Sequence, residues 1–151
     1  MLKAISILLL SFLAFRLPAQ HSRNIVMIQA KAIQWLRFGC IPQTAQRIWK
    51  YNKIEHLCIE NDSLLAVIGR KISDLTPTHL KHFKSVEEMD CRMVGIVYYD
   101  DSHIDTLTIA SDNHIQIGEV VYRPSPEFVS LFVYLLPKEY IYGFRILNDK
   151  R

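Results

Sequence analysis

Two adjacent segments, RMVGIVYY from Arg92 to Tyr99 and IDTLTI from Ile104 to Ile109, constrain the fold of this chain most. Both are β-branched and aromatic with polar residues between, the composition of a half-buried strand. Only Asp100-Asp101-Ser102 and His103 separate them. Aspartate and serine side chains bond to nearby backbone amides and tolerate turn geometry, so the spacing predicts an antiparallel hairpin.

The same stretch sets three aspartates and a histidine within nine residues, Tyr98 to Thr106. Turn chemistry accounts for Asp100 and Asp101. His103 and Asp105 then share one face of the second strand with Leu107 and Ile109, which leaves a surface cation or a proton-transfer pair as the chemistry on offer. Asp100, Asp101, His103 and Asp105 are therefore the candidate binding residues. A calcium loop would need more carboxylates in a longer, glycine-bent pattern.

Downstream, Ser111-Asp112-Asn113 reads as a second turn and His114–Ile117 as a short strand. Gly118-Glu119 reads as a tight hairpin loop with Val120–Tyr122 as its return, so the sheet grows by adjacent antiparallel strands. Ser125-Pro126-Glu127 is a helix start: serine at the cap, proline in the first helical position, glutamate at the positive end of the dipole. A mostly apolar helix follows to Leu136, and Pro137 ends it. The tail, 138–151, alternates Tyr140, Tyr142, Phe144 and Ile146, which predicts a last edge strand or a mobile end. An exposed aromatic edge there is a candidate partner surface.

Upstream, Ile25–Phe38 reads as a long, bent strand broken by Gly39-Cys40-Ile41-Pro42. Gln43–Lys53 fits either a short helix or a strand, with Trp49 as a core anchor. In the next short strand Ile54, His56 and Cys58 face one way and Leu57 and Ile59 the other. Asn61-Asp62-Ser63 then starts a helix whose Leu64, Leu65, Ile68, Ile72 and Leu75 form one stripe, stopped by Thr76-Pro77. Thr78–Asp90 reads as a charged connection. His79 and His82 within it are two potential ligands where zinc wants three or four.

At the start of the chain Lys3 precedes an apolar run from Ala4 to Phe15, followed by Arg16-Leu17-Pro18-Ala19-Gln20. That is the layout of a secretory signal peptide, and the run is shorter than the roughly 18 to 20 apolar residues that span a bilayer. Residues 1–19 are the expected leader and 20–151 the single mature domain, with no transmembrane anchor after cleavage. Loss of Lys3 and Arg16 leaves 16 basic residues against 15 acidic ones, a balance of +1 where the whole chain has +3. The basic residues are scattered, so nucleic acid is not the expected partner.

Cys40, Cys58 and Cys91 allow at most one internal disulfide, and their spacing makes no CxxC pair. They fit either three small buried hydrophobes or one bridge with a leftover thiol. Catalytic signatures are missing throughout: no GxSxG, GxGxxG, P-loop, HExxH or SxxK. No cofactor or metal is expected, and the balance leans away from an enzyme.

The order of elements, with Asp90-Cys91-Arg92 opening a strand that ends in Tyr98-Tyr99, then IDTLTI and Ile117-Gly118…Tyr122, resembles small exported proteins of Bacteroidota-type bacteria. The resemblance spans Ile54 to Leu136 and implies a periplasmic or secreted address; it brings no catalytic residues. The expected fold is α+β, a mostly antiparallel sheet with two helices, Ser63–Leu75 and Pro126–Leu136, on one face. The expected function is an exported, non-catalytic binding module whose partner is another protein, held by the sheet edge or by Asp100, Asp101 and His103, as in an inhibitor or immunity-type protein. Two alternatives stand beside it: a small periplasmic hydrolase or metal-dependent enzyme with dispersed His and Asp residues, and a structural subunit of an envelope assembly.

Overall fold

The computed structural model describes residues 23–34, 43–50, 54–78 and 90–148. The expected leader, Cys40 and the His79/His82 pair lie outside the described residues. Within them the chain is α+β, with the order β1 (Ile25–Ala32), α1 (Ala45–Lys50), β2 (Glu55–Ile59), α2 (Asp62–Ser73), β3 (Cys91–Tyr99), β4 (Ile104–Ala110), β5 (Ile115–Ile117), β6 (Val120–Tyr122), α3 (Pro126–Val133) and α4 (Lys138–Asn148). The six strands form one sheet, ordered β2-β1-β3-β4-β5-β6, antiparallel at every step.

The expected hairpin is present, and its loop geometry recurs. In the β3–β4 loop the Ser102 amide donates to the Tyr99 carbonyl, the Tyr99 amide to the His103 carbonyl, and Ser102 sits at φ 66°. In the β4–β5 loop Asn113, at φ 71°, donates to Ala110, and the Ala110 amide donates to His114. Each is a three-residue loop whose last residue is left-handed, a common hairpin connection. In each, the middle aspartate accepts from the amide two residues on, Asp101 from His103 and Asp112 from His114.

Strand alternation sends one set of side chains to each face. One face carries Ile28 and Ala30 of β1, Ile59 of β2, Met93 and Val97 of β3, Leu107 and Ile109 of β4 and Ile115 of β5. These form a single buried cluster with Leu65 and Ile68 of α2, Phe128, Val129, Phe132 and Val133 of α3, and Phe144 of α4. A smaller cluster, Ile33, Ile48, Cys91, Val94 and Ala110, lies under α1. The two clusters meet in β3 because Arg92 is an extra residue: Cys91 pairs with Ala110 and Met93 with Ile109. Such a bulge shifts the alternation by one. Cys91 therefore joins Val94 rather than Met93.

Arg92 itself is buried, and its guanidinium grips the Asp90 carboxylate with two bonds, at 2.6 and 2.5 Å. Asp90 also accepts from the Gln43 amide, and its carbonyl accepts from Ser111. The pair thus ties the approach to α1 and the β4–β5 loop to the start of β3.

Several expectations are corrected. The described residues hold four helices, not two. The tail is a helix rather than an edge strand: Tyr140, Ile141 and Phe144 turn to the main core while Tyr142 is 66% exposed. Tyr140 and Phe144 lie four apart as well as two steps of two, so alternation mimicked a helical stripe. In α1 the anchor is Ile48, fully buried, whereas Trp49 is 44% exposed. The first strand stops at Ala32 instead of continuing toward Phe38, and residues 35–42 lie outside the described set. Asn61 caps α2 by accepting from the Leu64 amide, but Ser125 makes no such bond. Its hydroxyl bonds the Glu127 side chain instead, which with the helix backbone holds that carboxyl below its ordinary range.

Each sheet edge meets another segment at one point. The β6 edge meets Pro77 opposite Tyr122, and the Thr78 amide donates to Val121. Beside the β2 edge the Tyr140 hydroxyl is bonded to the Glu55 backbone.

Two glycines predict opposite outcomes. Gly118 sits at φ 56° and a Cβ there would lie 2.6 Å from the Asp105 Oδ1, so Gly118→Ala should cost about 1–3 kcal/mol in urea unfolding. Gly69 lies inside α2 with Ile25 no nearer than 3.8 Å, so Gly69→Ala should add about 0.5–1 kcal/mol.

Candidate functional site

The four residues singled out in the sequence stand together but do different work. Asp100 accepts from the Asn24 amide and from its side-chain nitrogen, at 3.3 and 2.8 Å, and its own amide donates to the Asn24 carbonyl. Asp101 meets the Arg23 guanidinium at 2.8 Å. The His103 amide and then Arg23 hold the Asp101 carboxyl below its ordinary range. Both aspartates thus staple the β3–β4 loop to the segment entering β1.

Asp105 is placed differently. Its side chain, 26% exposed, lies 3.3 Å from the His103 Nε2 and is hydrogen-bonded to the Tyr99 phenol, whose ring stacks obliquely on His103. Burial first, and then the Asp105 charge, pushes the Tyr99 phenol far above its ordinary value; the same two causes raise Tyr122. The group is a carboxylate against one imidazole and one phenol, and its charge, felt also at Tyr122, holds protons tightly on the phenols. Among the described residues no three His, Cys, Asp or Glu converge as a metal site. Cys58, exposed, and Cys91, buried, are both free thiols.

A second site was not legible in the sequence. Among the described residues the sheet face opposite the main core is covered by α1 alone, at one end. Between α1 and the sheet runs a groove of about 600 Å³, walled by Ala45, Gln46, Trp49 and Lys50 and floored by Val94, Ile96, Thr106, Thr108 and Gln116. Its volume lies in the range of small-molecule sites. Thr44 fixes the first turn of α1 by accepting from the Arg47 amide. At the other end the Lys31 ammonium donates to the Trp49 carbonyl at 2.9 Å and sits 5.1 Å over the indole. A six-residue helix has no stability of its own. Ile48 beneath it and Lys31 at its end keep Trp49 turned to the groove.

Comparison with protein-family models, with curated proteins and with solved structures found no match. None of Asp100, Asp101, His103 and Asp105 lines the groove beside α1, nor the one between Arg23–Val26 and α2. The groove beside α1 is built from the middle strands β3 and β4, whose backbones are paired on both sides, so it offers a ligand side chains rather than free backbone groups. Its wall and floor are largely apolar.

The buried protons set an alkaline limit. Burial pushes the Cys91 thiol from 9.0 up to about 11, and Tyr99 and Tyr122 are raised as well. A raised folded-state value means stability complete below the unfolded value and lost as pH climbs toward the folded one. The unfolding midpoint should hold to about pH 9 and then fall progressively toward pH 11. In Asp105→Asn, which removes the neighbouring charge, the Tyr99 phenol should titrate at lower pH in an ultraviolet absorbance titration.

Proposed function

We propose that this is an exported, non-catalytic binding module and that its ligand seats in the groove between α1 and the open sheet face. The observation that carries it is the groove itself: about 600 Å³, mostly apolar, with a half-exposed tryptophan held in place as one wall. Exposed tryptophans are costly in water and are common anchors of bound ligands. The Lys3-led apolar run supports export. No helix among the described residues is long and apolar enough to cross a membrane.

The test uses Nile red as a neutral apolar probe. In a Trp35→Phe background Trp49 is the one remaining indole. Nile red should bind saturably and quench it. Ile96→Glu, which puts a carboxylate on the groove floor, should weaken binding at least about tenfold while circular dichroism stays unchanged. Absence of saturable binding to the parent overturns the proposal.

A second reading, an inhibitor or an envelope-assembly subunit that holds another protein, has one observation in its favour. Tyr134, Leu135 and Tyr142 are exposed, and the Arg145 guanidinium lies 5.5 Å over the Tyr134 ring. Tyrosine and arginine are the residues concentrated at interface hot spots. Concentration-dependent self-association in sedimentation velocity, lost in Tyr142→Arg, would favour the assembly subunit; a monomer at every concentration removes that version.

A further inference from the structure

The chemistry of the groove's walls narrows what it takes, provided that it is the ligand site just proposed. Among the described residues that line it only one carries a charge, Lys50; the polar remainder of these, Gln46, Thr106, Thr108 and Gln116, is neutral, and none of them is a carboxylate. A second cation stands at the same end: Lys31, pinned by the Trp49 carbonyl and indole. Both lysines belong to the last turn of α1, Lys50 as its final residue and Lys31 through its bond to the Trp49 carbonyl, whereas the floor is Val94, Ile96, Thr106, Thr108 and Gln116. One end is cationic and the length is apolar.

We infer that the occupant is a single-chain amphiphile with an anionic head, of the fatty-carboxylate class, its head at Lys50 and its chain along β3 and β4. Three features point the same way. Apolar side chains on paired middle strands gain from a hydrocarbon chain and leave a peptide backbone unsatisfied. The Lys50 ammonium, with Lys31 nearby, attracts an anion and repels a cation. Trp49 between head and tail is an amphipathic ring at the place where an apolar chain meets a polar end.

The test compares three probes of equal chain length at monomeric concentrations, dodecanoate, dodecanol and dodecyltrimethylammonium, each displacing Nile red from the whole protein. Dodecanoate should bind about tenfold or more tighter than dodecanol and the ammonium weakest, with the dodecanoate advantage shrinking as salt is raised. Lys50→Gln should bring dodecanoate close to dodecanol without weakening dodecanol, while Arg47→Gln, outside the lining, should leave the order unchanged. Equal binding of dodecanoate and dodecanol overturns the anionic head but leaves the groove as the ligand site. A dodecanoate preference that survives Lys50→Gln intact overturns the assignment to Lys50. Failure of all three probes to displace Nile red overturns the amphiphile, and failure of Nile red itself to bind overturns the site.

Discussion

One extra residue in the central strand governs how both faces of this sheet are used. Arg92 bulges out of the β3–β4 ladder, so the strand changes phase: Met93 and Val97 face the large core while Cys91 and Val94 face α1. A buried guanidinium without a partner would cost several kcal/mol, and the twofold grip of Asp90 offsets that cost. Through the Gln43 amide and the Ser111 amide the same pair fixes where α1 and the β4–β5 loop begin. Cys91 joins the small cluster under α1 through this phase change, while Val94, Ile96, Thr106 and Thr108 reach the groove face by regular alternation.

The unequal cover of the two faces follows from length and apolarity. Helices α2, α3 and α4 bring enough apolar surface to close one face, and Phe128, Val129, Phe132 and Val133 alone supply a continuous buried patch. Among the described residues the other face has only the six of α1, which bury Ile48 and leave Trp49 and Lys50 at the groove. A short element covering part of a sheet leaves a step at its edge. That step is the groove, and the Lys31–Trp49 contact holds its rim.

The acidic loops illustrate how dense chemistry in sequence becomes architecture. Asp101 and Asp112 each accept from the amide two residues on, and Asp100 and Asp101 fasten the entry to β1. Only Asp105 points where its charge alters other groups, and it does so by sharing a small space with Tyr99, His103 and the turn at Gly118. Gly118 has no side chain because the carboxylate already occupies its place. Loop and strand are thereby locked together at the end of the sheet far from the groove residues of α1.

Local chemistry was enough to reveal the hairpins, the capped start of α2 at Asn61, the proline-led start of α3 and the antiparallel α+β class, because each depends on residues within a few positions of one another. Where one spacing satisfied two periods, local chemistry was not enough. Tyr140, Tyr142 and Phe144 alternate like a strand, and only the main core, which takes Tyr140 and Phe144 and leaves Tyr142 in solvent, decides for a helix. Trp49 looked like a core residue because tryptophan usually is one, yet its neighbour Ile48 took the buried position. The groove was invisible for a different reason: its wall comes from residues 45–50 and its floor from residues 94–116, and nothing in either segment marks the other. Their meeting is set by the order of strands and by where α1 packs on β3, which are properties of the folded sheet alone.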